Sequence, residues 1–257
     1  MKSWLAAVAV LLAVLAPAGA TAAEAPLVAA AADLQSTLPG IAAAFENKTG
    51  QSVRLTFGAS GALTQQILNG APYEVFLSAD ESYVERLAAA GRTEGAGALY
   101  AVGRIGLFVP KGSSIRADAD LNGLAAALKA GRAQRFAIAN PAHAPYGRAA
   151  QAALERAGLW TAIQPRLVLG ENVSQATQFA ASGAAQGGII PLSLASTPQV
   201  KAAGTFVLLP AAWHPPLRQR AVVLKDASPA ARAFYAFLQG PEARAAFARH
   251  GFTLPGR

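Results

Sequence analysis

The chain contains no cysteine among its 257 residues. This absence excludes disulfides, thiolate metal sites, a cysteine nucleophile and a lipid anchor attached to cysteine. Stability must therefore rest on packing alone.

Familiar catalytic motifs are absent as well. The sequence has no Gly-x-Ser-x-Gly elbow, His-Glu-x-x-His, Walker loop or Gly-x-Gly-x-x-Gly. Asp80 and Glu81 are adjacent carboxylates, but such a pair at a helix start is usually a set of capping charges. His143 has no second ligand at metal spacing. We therefore expect no enzyme and no cation site.

Basic residues outnumber acidic ones, giving a formal net charge of +8. They are scattered singly, with the densest spot at Arg218-Gln219-Arg220, and no basic stripe is interleaved with aromatics. This distribution does not favour nucleic-acid binding and indicates a solvated surface with a mild attraction for anions.

The first 23 residues read as a signal peptide. Lys2 precedes an apolar run from Leu5 to Leu15, and small residues follow from Pro17 to Ala23. The run is shorter than the ~20 residues that a membrane-spanning helix needs. We expect cleavage near residues 20–23 and a soluble protein outside the cytoplasm.

Short apolar runs alternate with Ala-rich helical stretches from Leu27 to Ile190. Continuous apolar strands are typical of mainly parallel sheets covered by helices on both faces, so the predicted class is α/β. Composition alone leaves open whether there is one sheet or two lobes. The final strand, Arg220 to Lys225, and the two helices after it look appended to this pattern.

Four predicted strand-to-helix turns carry small or polar residues. In an open α/β sheet, ligands bind beyond the carboxyl ends of strands, where such turns gather. A helix start has unpaired N–H groups and a partial positive charge, so it can hold an anion without Lys or Arg. The turns are Ala31-Ala32-Asp33, Gly58-Ala59-Ser60-Gly61, Pro145-Tyr146-Gly147 and Glu171-Asn172-Val173-Ser174.

Each turn also has a structural interpretation. Ser60 and Asp33 are residue types that cap helices, and Tyr146 could pack on a neighbouring helix. A carboxylate facing a dianion repels it. If Asp33 lies at an anion site, its side chain must therefore point away or be neutralised.

Taken together, several segments resemble the periplasmic molybdate-binding proteins of ABC transporters. The resemblance extends from about Pro26 to Pro255. The segments that carry it are Val28–Leu34, Phe57–Gly61, Ile67–Glu81, Asn140–Gly147, Gly170–Val173 and Gly240–Ala243.

The resemblance implies a type II periplasmic binding protein fold with two lobes, each a mainly parallel sheet flanked by helices. The chain is expected to cross between lobes near Arg104 and Arg218. Lobe 1 then comprises residues 24–103 and 218–257, and lobe 2 comprises residues 104–217.

By position, the resemblance also implies an oxyanion site between the lobes. Ser60 and the turn at Ala32 and Asp33 would bind the anion from lobe 1. Tyr146 and Val173 would donate backbone N–H groups from lobe 2.

Two positions depart from the family pattern. Asp33 stands where many relatives carry Ser or Asn, and Pro191 where some carry a ligand-binding Tyr.

The resemblance implies that the ligand is molybdate or tungstate and that the partner is an ABC transporter permease at the inner membrane. It also implies a monomer that needs no cofactor. The alternatives are the same fold binding sulfate or phosphate, and an extracytoplasmic enzyme on a similar scaffold.

Overall fold

The computed structural model describes residues 24–256, which form two five-stranded sheets flanked by helices. The predicted α/β class and two-lobed architecture are confirmed. The predicted signal peptide, residues 1–23, lies outside the described residues. Across residues 24–256, no helix is both long and apolar enough to span a bilayer.

The strands and helices follow the predicted alternation as far as Ile190, except for the strand Ala98–Gly103, which was not predicted and is followed directly by another strand. The strands are β1 Leu27–Ala31, β2 Arg54–Gly58, β3 Val75–Ser78, β4 Ala98–Gly103, β5 Ile105–Pro110, β6 Phe136–Ala139, β7 Leu167–Gly170, β8 Gly187–Pro191, β9 Gly204–Leu208 and β10 Leu217–Val223. The helices are α1 Leu38–Thr49, α2 Ser60–Leu68, α3 Glu81–Ala89, α4 Asn122–Lys129, α5 Pro145–Arg156, α6 Trp160–Ile163, α7 Val173–Ala181, α8 Leu192–Ala195, α9 Pro198–Ala203, α10 Pro229–Leu238 and α11 Pro241–Arg249.

The two sheets have the same design. The first has the order β2-β1-β3-β10-β4 and the second β7-β6-β8-β5-β9. In each sheet one strand, β10 or β5, is antiparallel to both neighbours, and the other four run in a common direction. The carboxyl ends of those four strands therefore lie at one edge of their sheet.

The chain passes between the sheets twice. It leaves the first sheet in β4 and enters the second in β5, with Arg104 between them. It leaves in β9 and returns in β10 through residues 209–216, so the return strand begins at Leu217. The expectation that the last strand is appended is wrong, because β10 lies between β3 and β4 and pairs with both.

The core of the first lobe is rich in aromatic residues. Helices α1 and α10 pack together through Phe45 and Phe234, whose ring centroids are 5.2 Å apart in an edge-on arrangement. The ring centroids of Phe237 and Phe45 are 5.5 Å apart. Since Phe45 and Phe234 are both fully buried, this contact fixes α10 against α1 within the core.

We expect Phe234→Ala to lower the free energy of unfolding by about 3–5 kcal/mol, because it removes buried apolar area and leaves a cavity. Leu169→Ala is the control, since Leu169 is 46% exposed, and should change stability by less than about 0.5 kcal/mol. Urea unfolding followed by circular dichroism measures both. Equal losses in the two variants would contradict this account of the core.

Candidate functional site

One cavity between the two sheets collects residues from the carboxyl ends of their strands. The five residues predicted for the site all line it, and within the described chain its lining contains no Lys or Arg. About 10 Å³ is open to the centre of a water-sized sphere, room for about one water molecule. The lining residues are Ala31, Ala32, Asp33, Gly58, Ala59, Ser60, Ala79, Ala144, Pro145, Tyr146, Asn172 and Val173.

Helix α7 begins at Val173, which lines this cavity. Asn172 is its N-cap, and the Asn172 side-chain oxygen accepts from the N–H groups of Ser174 at 3.0 Å and Gln175 at 3.1 Å. The first N–H groups of a helix have no intrahelical partner, and this cap bonds those of Ser174 and Gln175 but not that of Val173.

Helix α5 also begins at the cavity, and its first two residues, Pro145 and Tyr146, belong to the lining. Its first residue, Pro145, has no N–H. The N–H groups of Gly147 and Arg148 both donate to the Ala144 carbonyl, at 2.9 and 3.1 Å. Tyr146 therefore carries the remaining donor of this first turn.

Ser60 begins helix α2 but does not cap it. The N-cap is Ala59, and no side-chain capping bond is formed, so the capping interpretation is wrong. The Ser60 hydroxyl oxygen instead accepts from the Ala79 N–H at 3.0 Å. Since a hydroxyl can accept and donate at once, this bond leaves the hydroxyl proton available to an anion.

Asp33 is not a helix cap either. It lies in the 3-10 turn Ala32–Leu34 without a side-chain capping bond, and α1 begins only at Leu38. Its carboxylate is fully buried. Oδ2 accepts from the Tyr146 hydroxyl at 2.9 Å and from Gln219 Nε2 at 2.7 Å. Within residues 24–256, Oδ1 has no hydrogen-bond partner.

Burial raises the pKa of the Asp33 carboxyl from 3.8 to about 6, against the lowering effect of the Gln219 and Tyr146 hydrogen bonds. The Tyr100 hydroxyl donates to Gln219 Oε1 at 2.6 Å, which turns the Gln219 amide nitrogen toward Asp33. Sequence reasoning missed Gln219 and Tyr100. The alternation Arg-Gln-Arg in β10 was the available signal, because it places Gln219 on the buried face.

The Tyr146 side chain connects the lobes. Its phenol extends from α5 to the first lobe, where it bonds Asp33 in the turn after β1 and Gln219 in β10. Packing on a neighbouring helix therefore does not describe its role. It also fits against Gly103 at the end of β4. A Cβ at Gly103 would lie 2.2 Å from the Tyr146 hydroxyl oxygen, so the closed arrangement requires glycine there.

Further contacts between the lobes surround the cavity. The Ser193 hydroxyl donates to the Asp33 carbonyl at 2.9 Å. Arg148 pairs with Asp80 at 2.6 Å and donates to the Tyr83 hydroxyl at 2.8 Å. The structure is therefore closed.

At Pro191, where some relatives carry a Tyr, β8 ends and α8 begins, which brings Ser193 against the carbonyl of Asp33. Sequence reasoning missed Ser193, because the short helix α8 has no periodic apolar pattern. Within the closed structure this hydroxyl is committed to a protein carbonyl.

The other acidic and histidine candidates have structural roles. The Asp80 side chain accepts from the Ser82 N–H at 2.9 Å and so caps α3, as predicted. The His143 ring nitrogen Nε2 lies 2.8 Å from the Glu171 carbonyl oxygen. Among residues 24–256, no cluster of three His, Cys, Asp or Glu residues has a geometry that could hold a metal ion.

Known proteins are similar to this chain in sequence and in fold. Molybdate-binding protein ModA of Azotobacter vinelandii is 38% identical over 231 residues, covering 88% of this chain and 89% of that protein. ModA of Rhodobacter capsulatus is 37% identical, with coverages of 88% and 87%. The solved structure of the A. vinelandii periplasmic molybdate-binding protein matches with a TM-score of 0.81 and 33% identity, covering 90% of this chain and all of that one.

These similarities confirm the resemblance inferred from the short segments. A family model described as bacterial extracellular solute-binding protein also matches residues 26–253, which is nearly the whole described chain. Fold, sequence and family model agree, and the chain belongs to the bacterial extracellular solute-binding protein family.

Proposed function

We propose that this protein captures molybdate or tungstate between its lobes and delivers it to an ABC transporter. The observation that carries the proposal is the convergence of uncharged donors from both lobes on one cavity without Lys or Arg in its lining. The names of the two ModA relatives support the choice of ligand.

In this proposal each lobe contributes part of the anion shell. The Ser60 hydroxyl and the turn at Ala32 and Asp33 bind from the first lobe, and the N–H groups of Tyr146 and Val173 bind from the second. Helix N-termini stabilise the dianion through their partial positive charge. Hydrogen bonds to a charged acceptor are strong, and exclusion of water strengthens them further.

The lobes must part to admit the ion, because a tetrahedral oxyanion is larger than the one water molecule for which the closed cavity has room. We place the moving units at residues 24–103 with 218–257 and at residues 104–217. Arg104 and residues 209–216 then form the two connections about which they move.

The proposal extends to where and how the protein works. Residues 1–23 act as a signal peptide cleaved near residues 20–23, and the mature protein works in the periplasm as a monomer, with the permease as its partner. It binds its ligand without a cofactor and without catalysis. The enzyme alternative would need an acid and base in the cleft, yet the Glu171 side chain is 81% exposed.

The nearest alternative is the same site holding sulfate or phosphate. Sulfate is smaller, so a shell fitted to molybdate leaves donors unpaired around it, and unpaired buried donors are costly. We expect calorimetric titration to show tight binding of molybdate and tungstate and at least about tenfold weaker binding of sulfate and phosphate. Tighter binding of sulfate or phosphate would reject the ligand assignment.

We expect Ser60→Ala to weaken molybdate binding by about 10- to 150-fold, since a hydrogen bond to a charged group contributes about 1.5–3 kcal/mol. Ser114→Ala is the control, because this hydroxyl is exposed and bonds the Arg132 carbonyl away from the cavity. Titration calorimetry measures both. Unchanged affinity in Ser60→Ala would remove the first lobe's hydroxyl from the site.

We expect Gly103→Ala to hinder closure, because the added Cβ would overlap the Tyr146 hydroxyl. Overpacking costs about 1–3 kcal/mol, which corresponds to a weakening of about 5- to 150-fold. Small-angle scattering should show less compaction on adding molybdate. Gly40→Ala is the control, since Gly40 lies in α1 with open space around it. Wild-type affinity and compaction in Gly103→Ala would show that closure does not require this packing.

A further inference from the structure

We infer that Asp33 holds the oxyanion as a neutral carboxylic acid, so that capture of a doubly charged ion takes up one proton from solvent. The inference rests on the proposed function and concerns the same site. It assigns Asp33 the role of a proton-dependent donor to the ligand.

The Asp33 carboxyl group lies at the cavity with one of its oxygens unbonded among the described residues. Asp33 lines the cavity and is fully buried. Oδ2 is held by the Tyr146 hydroxyl and by Gln219 Nε2. Within the described part of the chain, Oδ1 is a buried oxygen without a hydrogen-bond partner. A buried polar atom without a partner is unfavourable, so Oδ1 is the oxygen that needs either a proton or a donor.

As far as the structure describes the chain, an ionised Asp33 would have no positively charged side chain beside it in the cavity. The titratable groups that face Asp33 are Tyr100 from β4 and Tyr146 from α5, while β10 supplies only the uncharged Gln219. Burial raises the pKa of both tyrosines well above 10, so both stay neutral. The cavity lining, within residues 24–256, supplies no Lys, Arg or His. An ionised Asp33 and a dianion would therefore share a buried site without a cation between them.

A proton on the Asp33 carboxyl group changes its charge and its hydrogen bonding. A proton on Oδ1 turns this oxygen into an O–H donor that can bond an oxygen of the ion. Oδ2 remains an acceptor, so the bonds from Tyr146 and Gln219 persist. Burial already raises the carboxyl pKa to about 6, and an adjacent dianion raises it further. The proton is therefore taken up when the ion binds near neutral pH.

The test is titration calorimetry with molybdate at pH 8 in buffers of different ionisation enthalpy. We expect wild type to take up close to one proton per ion. We expect Asp33→Asn to take up almost none, because Asn keeps a carbonyl oxygen for Tyr146 and Gln219 and supplies an N–H in place of the O–H. Between pH 7 and 9 the wild-type affinity should fall about tenfold per unit, and that of Asp33→Asn should stay flat.

Two of the other ionisable groups near the cavity, Glu171 and His143, serve to check the source of the proton. Glu171→Gln removes an exposed carboxylate next to the lining residue Asn172 and should keep the wild-type proton uptake. His143 lies one residue before the lining residue Ala144. Uptake by this histidine would persist in Asp33→Asn and would overturn the inference.

The remaining outcomes separate this inference from the proposed function. Molybdate binding by wild type without proton uptake rejects the inference and leaves the function in place. Tighter binding of phosphate than of molybdate at pH 8, lost in Asp33→Asn, would show an ionised Asp33 accepting the ligand's own proton and would also reject it. Absence of molybdate binding in both proteins from pH 6 to 9 rejects the function and the inference together.

Discussion

The structure depends on the unpaired N–H groups at helix starts. A helix cannot satisfy its first N–H groups internally, and a buried donor without a partner is unfavourable. Here most of these donors are used within the protein: Asn172 takes two, the Ala144 carbonyl takes that of Gly147, and Pro145 removes one. The N–H groups left over, those of Tyr146 and Val173, belong to residues that line one cavity, so the proposed binding site needs hardly any charged side chains.

Topology brings these helix starts together. Strands β1, β2 and β3 share one direction in the first sheet, and β6, β7 and β8 share one direction in the second. Because each crossing leads directly into an antiparallel strand, β5 or β10, the carboxyl edges of the two sheets face each other. The antiparallel strands also carry the supporting network, since Gln219 of β10 holds Asp33 in place.

Local patterns in the sequence predicted most of this fold. The apolar runs at β1, β3 and β6 and the turns that contain Ser60, Tyr146 and Val173 could be predicted because each signal lies within a few residues. Two kinds of feature escaped. Strand β4 lies in a Gly-rich stretch with no clear alternation. The Asp33–Gln219 bond joins residues 186 apart, and neither residue alone indicates the other. A capping carboxylate and a networked one look the same in sequence.

The bond between Tyr146 and Asp33 joins the two lobes, which bears on how a bound ion would control their closure in the proposed function. When the lobes are apart, water can bond both groups, so closing exchanges those bonds for one buried bond between Tyr146 and Asp33. Such an exchange contributes only about 0.5–1.5 kcal/mol, or up to about 3 kcal/mol when one partner is charged. This bond alone therefore contributes little to the free energy of closure. Tyr146 belongs to the second lobe and Asp33 to the first. An ion that bonds the turns at both residues binds the closed state more tightly than the open state, and it stabilises the closed state by that whole difference in binding free energy.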